Sequence, residues 1–232
     1  WYLENTLFDV VGEVYSEFED IVTREYPDID LPKLFEFRSW AGSDRDGNPY
    51  VTVDVTDETL QSQREIVVER YRTQLKRLSA VLSQDGNRYP TTAAFQASLE
   101  ADIEQFPSVA EEAEERYPDE PYRQKFRLMR ERLNRIGDIR PGGYEDDDEL
   151  LADLETVEAS LRSYGGVDIA DAYVEPLMRQ VSTFGFSLAS HDLRDHQQQH
   201  TEALEEALAN EGIDYASLDE DERVELLTDA IL

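Results

Sequence analysis

Two short strand-like stretches, separated by a long run of helical pattern, constrain this chain more than anything else in it. Leu34-Phe35-Glu36-Phe37-Arg38-Ser39-Trp40 alternates apolar and polar residues with the period of a half-buried strand. Phe184-Gly185-Phe186-Ser187-Leu188-Ala189-Ser190 has the composition of a second, short buried strand. Neither has another strand beside it in sequence with which to close a hairpin. Each must therefore find its partner far along the chain, or beyond the ends of the chain.

Around these stretches the pattern is helical. Leu3, Leu7, Val10, Val14, Phe18, Ile21 and Val22 fall at helical spacing and predict a first amphipathic helix running up to Tyr26-Pro27. A long helix is expected over about 57–83, with Leu60, Val67, Tyr71, Leu75, Leu78 and Leu82 on one face. Shorter helices are expected near 91–105, 108–117 and 121–137. The last places Pro121 in its first turn, where the missing N–H is no loss. Residues 137–148, with Pro141-Gly142-Gly143, form the best candidate for a surface linker. The acidic run Glu145-Asp146-Asp147-Asp148-Glu149 then suits the start of a helix over 147–164, because carboxylates favour the positive end of the helix dipole. Helices over 168–181, 195–211 and from 219 onward complete the outline. The fold class expected is mainly α with a few short strands.

Charge narrows the function. The chain carries 53 acidic residues against 22 basic ones, a formal net charge of −31. Only Lys33, Lys76 and Lys125 are lysines, so nearly all positive charge is arginine. A phosphate backbone or an anionic membrane would meet a repulsive field, which excludes nucleic acid and membrane surfaces as partners. A hydrophobic content of 40% with 12 tyrosines and 9 phenylalanines excludes a disordered acidic tail. The absence of cysteine removes disulfides, thiolate catalysis and Cys-ligated metals together. The carboxylates are spread over nearly every segment rather than concentrated in one block. That pattern fits a surface adapted to concentrated salt better than a module built to capture a basic partner.

Three constellations could carry chemistry. His191, His196 and His200 include an i, i+4 pair that would put two imidazoles on one helix face for a metal, although the glutamines between them suit an exposed face equally. Asp44-Arg45-Asp46-Gly47-Asn48 has oxygens at alternate positions, but Pro49 and Val55 stand where a calcium loop needs Gly and Glu. It is either an ordinary turn or an arginine, Arg45, oriented by flanking carboxylates at the mouth of a pocket. The second strand ends in His191-Asp192-Leu193-Arg194-Asp195, and an arginine at a strand's C-terminal end is where α/β barrels hold anions. Two arginines at two strand ends make a coherent anion site.

These same residues carry a family resemblance. Ser39-Trp40-Ala41-Gly42-Ser43-Asp44-Arg45-Asp46-Gly47-Asn48-Pro49, followed by Val51-Thr52, resembles the S-W-x-G-G-D-R-D-G-N-P-x-V-T signature of phosphoenolpyruvate carboxylases. Phe184-Gly185 through Asp192-Leu193-Arg194 to His200-Thr201-Glu202-Ala203-Leu204 is similar to the family's F-G-x-x-L-x-x-x-D-I-R-Q-E-S-x-x-H-T-E-A-L. Glu120-Pro121-Tyr122-Arg123 with Leu128, Arg130, Arg132 and Leu133 resembles its E-P-Y-R helix. Two departures are plain. Gly-Gly has become Gly42-Ser43, and Asp195-His196-Gln197 replaces Gln-Glu-Ser. Of the histidines, only His200 matches the pattern.

The resemblance implies an α/β barrel of the TIM type with a large excess of helices, of which this chain is part. It implies carboxylation of phosphoenolpyruvate by bicarbonate, giving oxaloacetate and phosphate, with Mg²⁺ or Mn²⁺ as cofactor. Arg194 then corresponds to an arginine holding the substrate phosphate and Trp40 to the wall of an apolar pocket beside its methylene. Asp44 and Arg45 belong to the same active-site loop without an assigned role. The family's catalytic histidine is expected before Trp1. Its catalytic lysine, metal ligands and glycine-rich loop are expected after Leu232. Residues 1–232 are thus expected to be an internal segment of one barrel domain, truncated at both ends, with neither a catalytic residue nor a metal ligand of its own. The whole protein is expected to be a cytoplasmic homotetramer. The opposing reading is a non-catalytic acidic helical scaffold.

Overall fold

Helix formation follows the apolar periodicity closely. A computed structural model describes residues 6–26 and 31–231 of the chain. α1 spans Phe8–Glu25, and the expected helix start at Leu3 lies outside the described residues. α2, Val53–Val81, is the long helix, begun a turn earlier than its apolar stripe suggests. α3 (Ala93–Gln105), α4 (Pro107–Arg116) and α5 (Pro121–Asn134) follow, with α4 and α5 each led by a proline in the first turn. Asp146 caps α6 (Asp147–Ser163), its side chain accepting the Glu149 N–H at 3.0 Å, and the acidic run fills the helix's first turn.

The helix expected over 168–181 is broken into three pieces. A short α7 (Val167–Ile169) runs into a π-helical segment, Ala170–Val174, and then into α8 (Glu175–Phe184). Pro176 explains the break, because it has no N–H with which to continue the regular ladder. After it come α9 (Gln197–Asn210), a 3₁₀ turn (Tyr215–Ser217) and α10 (Glu220–Ile231). Among the described residues no helix is long and apolar enough to cross a membrane.

Both strands are much shorter than their patterns. β1 is Arg38–Ser39 and β2 is Ser190–His191, and the two form a two-stranded sheet. Residues 34–40 do alternate between half-buried and exposed, so the chain is extended there. Only its last part has a ladder partner. Of the stretch 184–190 only Ser190 is in a strand; residues 184–189 are not. Phe184 closes α8, Gly185 adopts φ +52°, and the Ser187 and Leu188 N–H groups return to the Phe184 carbonyl at 3.3 and 3.0 Å. The apolar residues of this segment serve a turn in the core, and a turn can bury Phe, Leu and Ala as well as a strand can.

The chain divides into two compact units, Trp1–Arg38 with Leu60–Ser190, and Ser39–Thr59 with His191–Leu232. In the first unit Phe184 stacks between Phe8 and Phe37, both at 5.2 Å between ring centres. Buried Tyr71 donates its hydroxyl to the Gly185 carbonyl at 2.8 Å, which anchors the turn after α8. A polar knot lies deeper. Lys125, fully buried on α5, donates to Asp102 Oδ2 at 2.6 Å, Asp153 Oδ1 at 2.7 Å and Ser98 Oγ at 2.7 Å. Arg132 and Tyr144 close the far side of Asp153 at 3.0 and 2.7 Å. Burial holds the Tyr144 phenol well above its usual range, so it stays a donor. Residues 137–148 run from the end of α5 into α6, and Arg135 donates to the Pro141 carbonyl at 2.8 Å.

The second unit holds the loop after β1, the first turns of α2, the extended run from His191, and α9 to α10.

Candidate active site

Two loops of the second unit meet along a parallel ladder. The Asp192 N–H donates to the Ser39 carbonyl at 3.2 Å, the Arg194 N–H to the Ser43 carbonyl at 3.2 Å, and the Arg45 N–H to the Arg194 carbonyl at 2.7 Å. Asp44 and Arg194 therefore face each other as an isolated parallel bridge. Between these bonds the first loop makes a tight turn in which the Trp40 carbonyl accepts from the N–H groups of Ser43 and Asp44, at 3.0 and 3.1 Å.

Glycine is needed at one position of that turn. Gly42 has φ +80°, and a Cβ there would lie 2.2 Å from Thr59 Oγ1. Ser43 does not share that conformation, so the second glycine of the motif can be replaced. Its hydroxyl is fully buried and donates to the Asp192 carbonyl at 3.1 Å, with His191 Nδ1 at 3.3 Å. The serine ties the turn to the opposite segment.

The side chains singled out in the sequence come together here. Trp40 is 55% exposed and the Arg194 side chain 52%. The Arg194 guanidinium lies 5.7 Å from the centre of the Trp40 ring. Its Nη2 donates to Asp46 Oδ2 at 3.0 Å, and Nη1 lies 3.8 Å from Asp44 Oδ2. The carboxylates flanking Arg45 in sequence thus reach Arg194. Arg45 turns to different partners, donating to Thr56 Oγ1 at 3.1 Å and lying 3.8 Å from Asp195. Of the two readings of this segment, the one in which flanking carboxylates orient Arg45 does not hold: Asp44 and Asp46 engage Arg194, while Arg45 takes Thr56 and Asp195.

The whole chain, residues 1–232, matches the sequence profile of phosphoenolpyruvate carboxylase. The chain belongs to the phosphoenolpyruvate carboxylase family. It is 36% identical over 98% of its length to the phosphoenolpyruvate carboxylase of Roseiflexus castenholzii, covering 26% of that protein. It is 32% identical over 99% to that of Prochlorococcus marinus strain MIT 9312 and 35% identical over 97% to that of Synechococcus strain WH7803, covering 26% and 25% of them. The chain spans about a quarter of the length of the curated relatives it matches.

For a phosphoenolpyruvate carboxylase segment, the divalent metal is the group to test against the residues present. The carboxylates beside Arg194 are already engaged: Asp44 and Asp46 by its guanidinium, Asp195 by Arg45 and Asp192 by the Trp40 indole. Among the described residues no group of three or more His, Asp or Glu is placed to hold a metal ion. These residues do not fit a divalent-cation site. The histidines do not converge either. His191 sits on Ser43, while His196 caps α9 with Nδ1 accepting the Gln198 N–H at 3.3 Å, so its ring serves the helix end rather than a shared face with His200.

Three contributors lie within the motifs but had no role assigned from them: Ser43, Asp46 and Asp192. Only Asp192 left a usable signal, since the Asp-x-Arg spacing in an extended run puts residues 192 and 194 on one face.

Proposed function

We propose that this chain is a segment of a phosphoenolpyruvate carboxylase, which joins bicarbonate to phosphoenolpyruvate to give oxaloacetate and phosphate, and that it supplies part of the phosphoenolpyruvate site. The observation that carries this is the Arg194 guanidinium lying over Trp40 at the meeting of the two motif loops. The reacting species are anionic and water-sensitive. An arginine presents two parallel N–H donors to a phosphate, and being half-exposed it remains open to one. The indole beside it offers an apolar face to the substrate's methylene and keeps water from it. Arg45, held by Thr56 and Asp195, buttresses the loop that carries Asp44 and Asp46. The Mg²⁺ or Mn²⁺ of this proposal is held by residues outside the segment. The complete protein is proposed to be a cytoplasmic homotetramer working in concentrated salt.

The test is Arg194→Ala in the full-length enzyme. Losing a charge-assisted clamp should lower kcat/KM for phosphoenolpyruvate on the order of 10²-fold or more. Unchanged kinetics would remove Arg194 from the site.

A further inference from the structure

The Trp40 indole is held at two places by one short segment. Its Nε1–H donates to Asp192 Oδ2 at 3.2 Å, and Arg194 lies over its face at 5.7 Å. Asp192 and Arg194 are alternate residues of an extended run whose N–H groups both bond to the loop carrying Trp40. They therefore project to the same side, while Leu193 between them faces outward and is exposed. The spacing of the run matches the indole: one residue meets its edge and the next but one meets its face.

We propose that Asp192 is a positioning residue, whose carboxylate pins the edge of the Trp40 indole and so fixes the platform over which the Arg194 guanidinium lies. An indole more than half exposed on a loop has little packing to choose its rotamer, and an N–H bond to a carboxylate supplies that choice. Asp192 is itself fixed, because its N–H and its carbonyl are bonded to Ser39 and Ser43 on the loop it steadies. Ser43 thereby has a purpose that glycine could not serve. Its hydroxyl ties down the main chain of the residue that orients Trp40. The role assigned to the carboxylate involves no contact with substrate and runs through the indole. This rests on the reading of Trp40 and Arg194 as phosphoenolpyruvate-binding residues.

The experiment is a double-mutant cycle in the full-length enzyme with Asp192→Ala, Trp40→Phe and the pair of them. Asp192→Ala should raise KM for phosphoenolpyruvate roughly tenfold with kcat changed much less, as for lost ground-state positioning. Asp192→Asn keeps an oxygen acceptor for the indole N–H and should restore most of the loss. In the Trp40→Phe background, which has no indole N–H, Asp192→Ala should add less than about twofold. The same factor in both backgrounds would overturn the positioning role. A direct readout is 5-fluorotryptophan labelling, with the Trp40 resonance assigned by its loss in Trp40→Phe. Asp192→Ala should shift and broaden that resonance, and an unchanged line overturns the proposal. Should Asp192→Ala fail to fold, Asp192→Glu, which displaces the carboxylate by a methylene, carries the same two measurements. Wild-type kinetics in both Trp40→Phe and Arg194→Ala would sink the site reading, and this proposal with it. Additive effects while Arg194→Ala remains crippled would sink the positioning role alone.

Discussion

Asp46 holds Arg194 across the meeting of two loops that the sequence keeps far apart, its Oδ2 accepting from Nη2 at 3.0 Å. The arginine's side chain is otherwise half-exposed, and a free arginine has about 2 kcal/mol of rotamer entropy to lose when it docks on a phosphate. A tether spares part of that loss. Against it stands the repulsion between Asp46 and an incoming anion. If the tether dominates, Asp46→Ala raises KM for phosphoenolpyruvate by about five- to thirtyfold, corresponding to roughly 1–2 kcal/mol. Asp46→Asn, which keeps the acceptor without the charge, should stay near wild type. Steady-state kinetics decide the matter, and a fall in KM for Asp46→Ala would make Asp46 a competitor of the substrate.

The two glycine positions of the motif should respond to different extents. Gly42→Ala puts a Cβ into left-handed backbone, which costs about 1–2 kcal/mol, and against Thr59 Oγ1, itself fixed by a 2.7 Å bond to the Val55 carbonyl. Urea unfolding should show a loss of at least about 2 kcal/mol, and KM should rise because the turn carries Trp40. Ser43→Gly removes a buried hydroxyl with its bond to the Asp192 carbonyl and its longer contact with His191 Nδ1, and a loss of about 0.5–1.5 kcal/mol with the fold retained is expected. Equal damage from both would contradict the separation of roles.

Lys125 is the one buried cation of the first unit's polar knot whose removal leaves two carboxylates facing each other. Burial raises the Asp102 carboxyl above its usual range, and the neighbouring ammonium offsets only part of that rise. Lys125→Met would strand Asp102 and Asp153 without that compensation. The expected destabilisation is about 3–5 kcal/mol by chemical denaturation. The double variant Lys125→Met, Asp102→Leu should recover much of it, since Asp153 keeps Arg132 and Tyr144 and no buried carboxylate is left without a cation. A double variant no more stable than Lys125→Met would contradict uncompensated charge as the cause of the loss.

How much of this could be read from residues alone depended on the range of the interaction. Helices were legible because their determinants are local: the stripe of α2, Pro121 opening α5 and the acidic cap of α6 each act within a few turns. The extended run to Trp40 was legible too, as the alternating burial of Phe35 and Phe37 shows. The second strand was misplaced because Phe184, Phe186 and Leu188 carry apolarity without revealing geometry, and Gly185 and Leu188 turn the chain through positive φ. At the site, Trp40 and Arg194 were recognisable as residue types in motifs. Their partners Asp46 and Asp192 stand in the same motifs, but which side chain each would hold was not legible, because those bonds join residues about 150 positions apart in sequence.

That abundance of carboxylate makes the last prediction. With a net charge of −31, the surface repels itself wherever carboxylates lie within a Debye length, about 10 Å at 0.1 M salt and about 3 Å at 1 M. The arginines do not relieve this everywhere. Many are committed in partly buried groups, as Arg132 is to Asp153 and Glu149, and Arg162 to Glu158, Asp171 and Glu175. Helices such as α10, whose first turn is Glu220, Asp221 and Glu222 and whose last turn has no basic residue, are left with unbalanced charge. Screening should therefore stabilise the fold more than it weakens the exposed pairs, which are worth only about 0–1 kcal/mol each. Thermal unfolding of the full-length protein should move upward steeply between ~0.1 and ~2 M KCl. Because specific hydration and ion exclusion also rise with salt, the same titration in choline chloride separates screening from them: a similar early rise in both salts marks charge repulsion as the cause. A flat or falling curve would return the acidity to a role in partner capture.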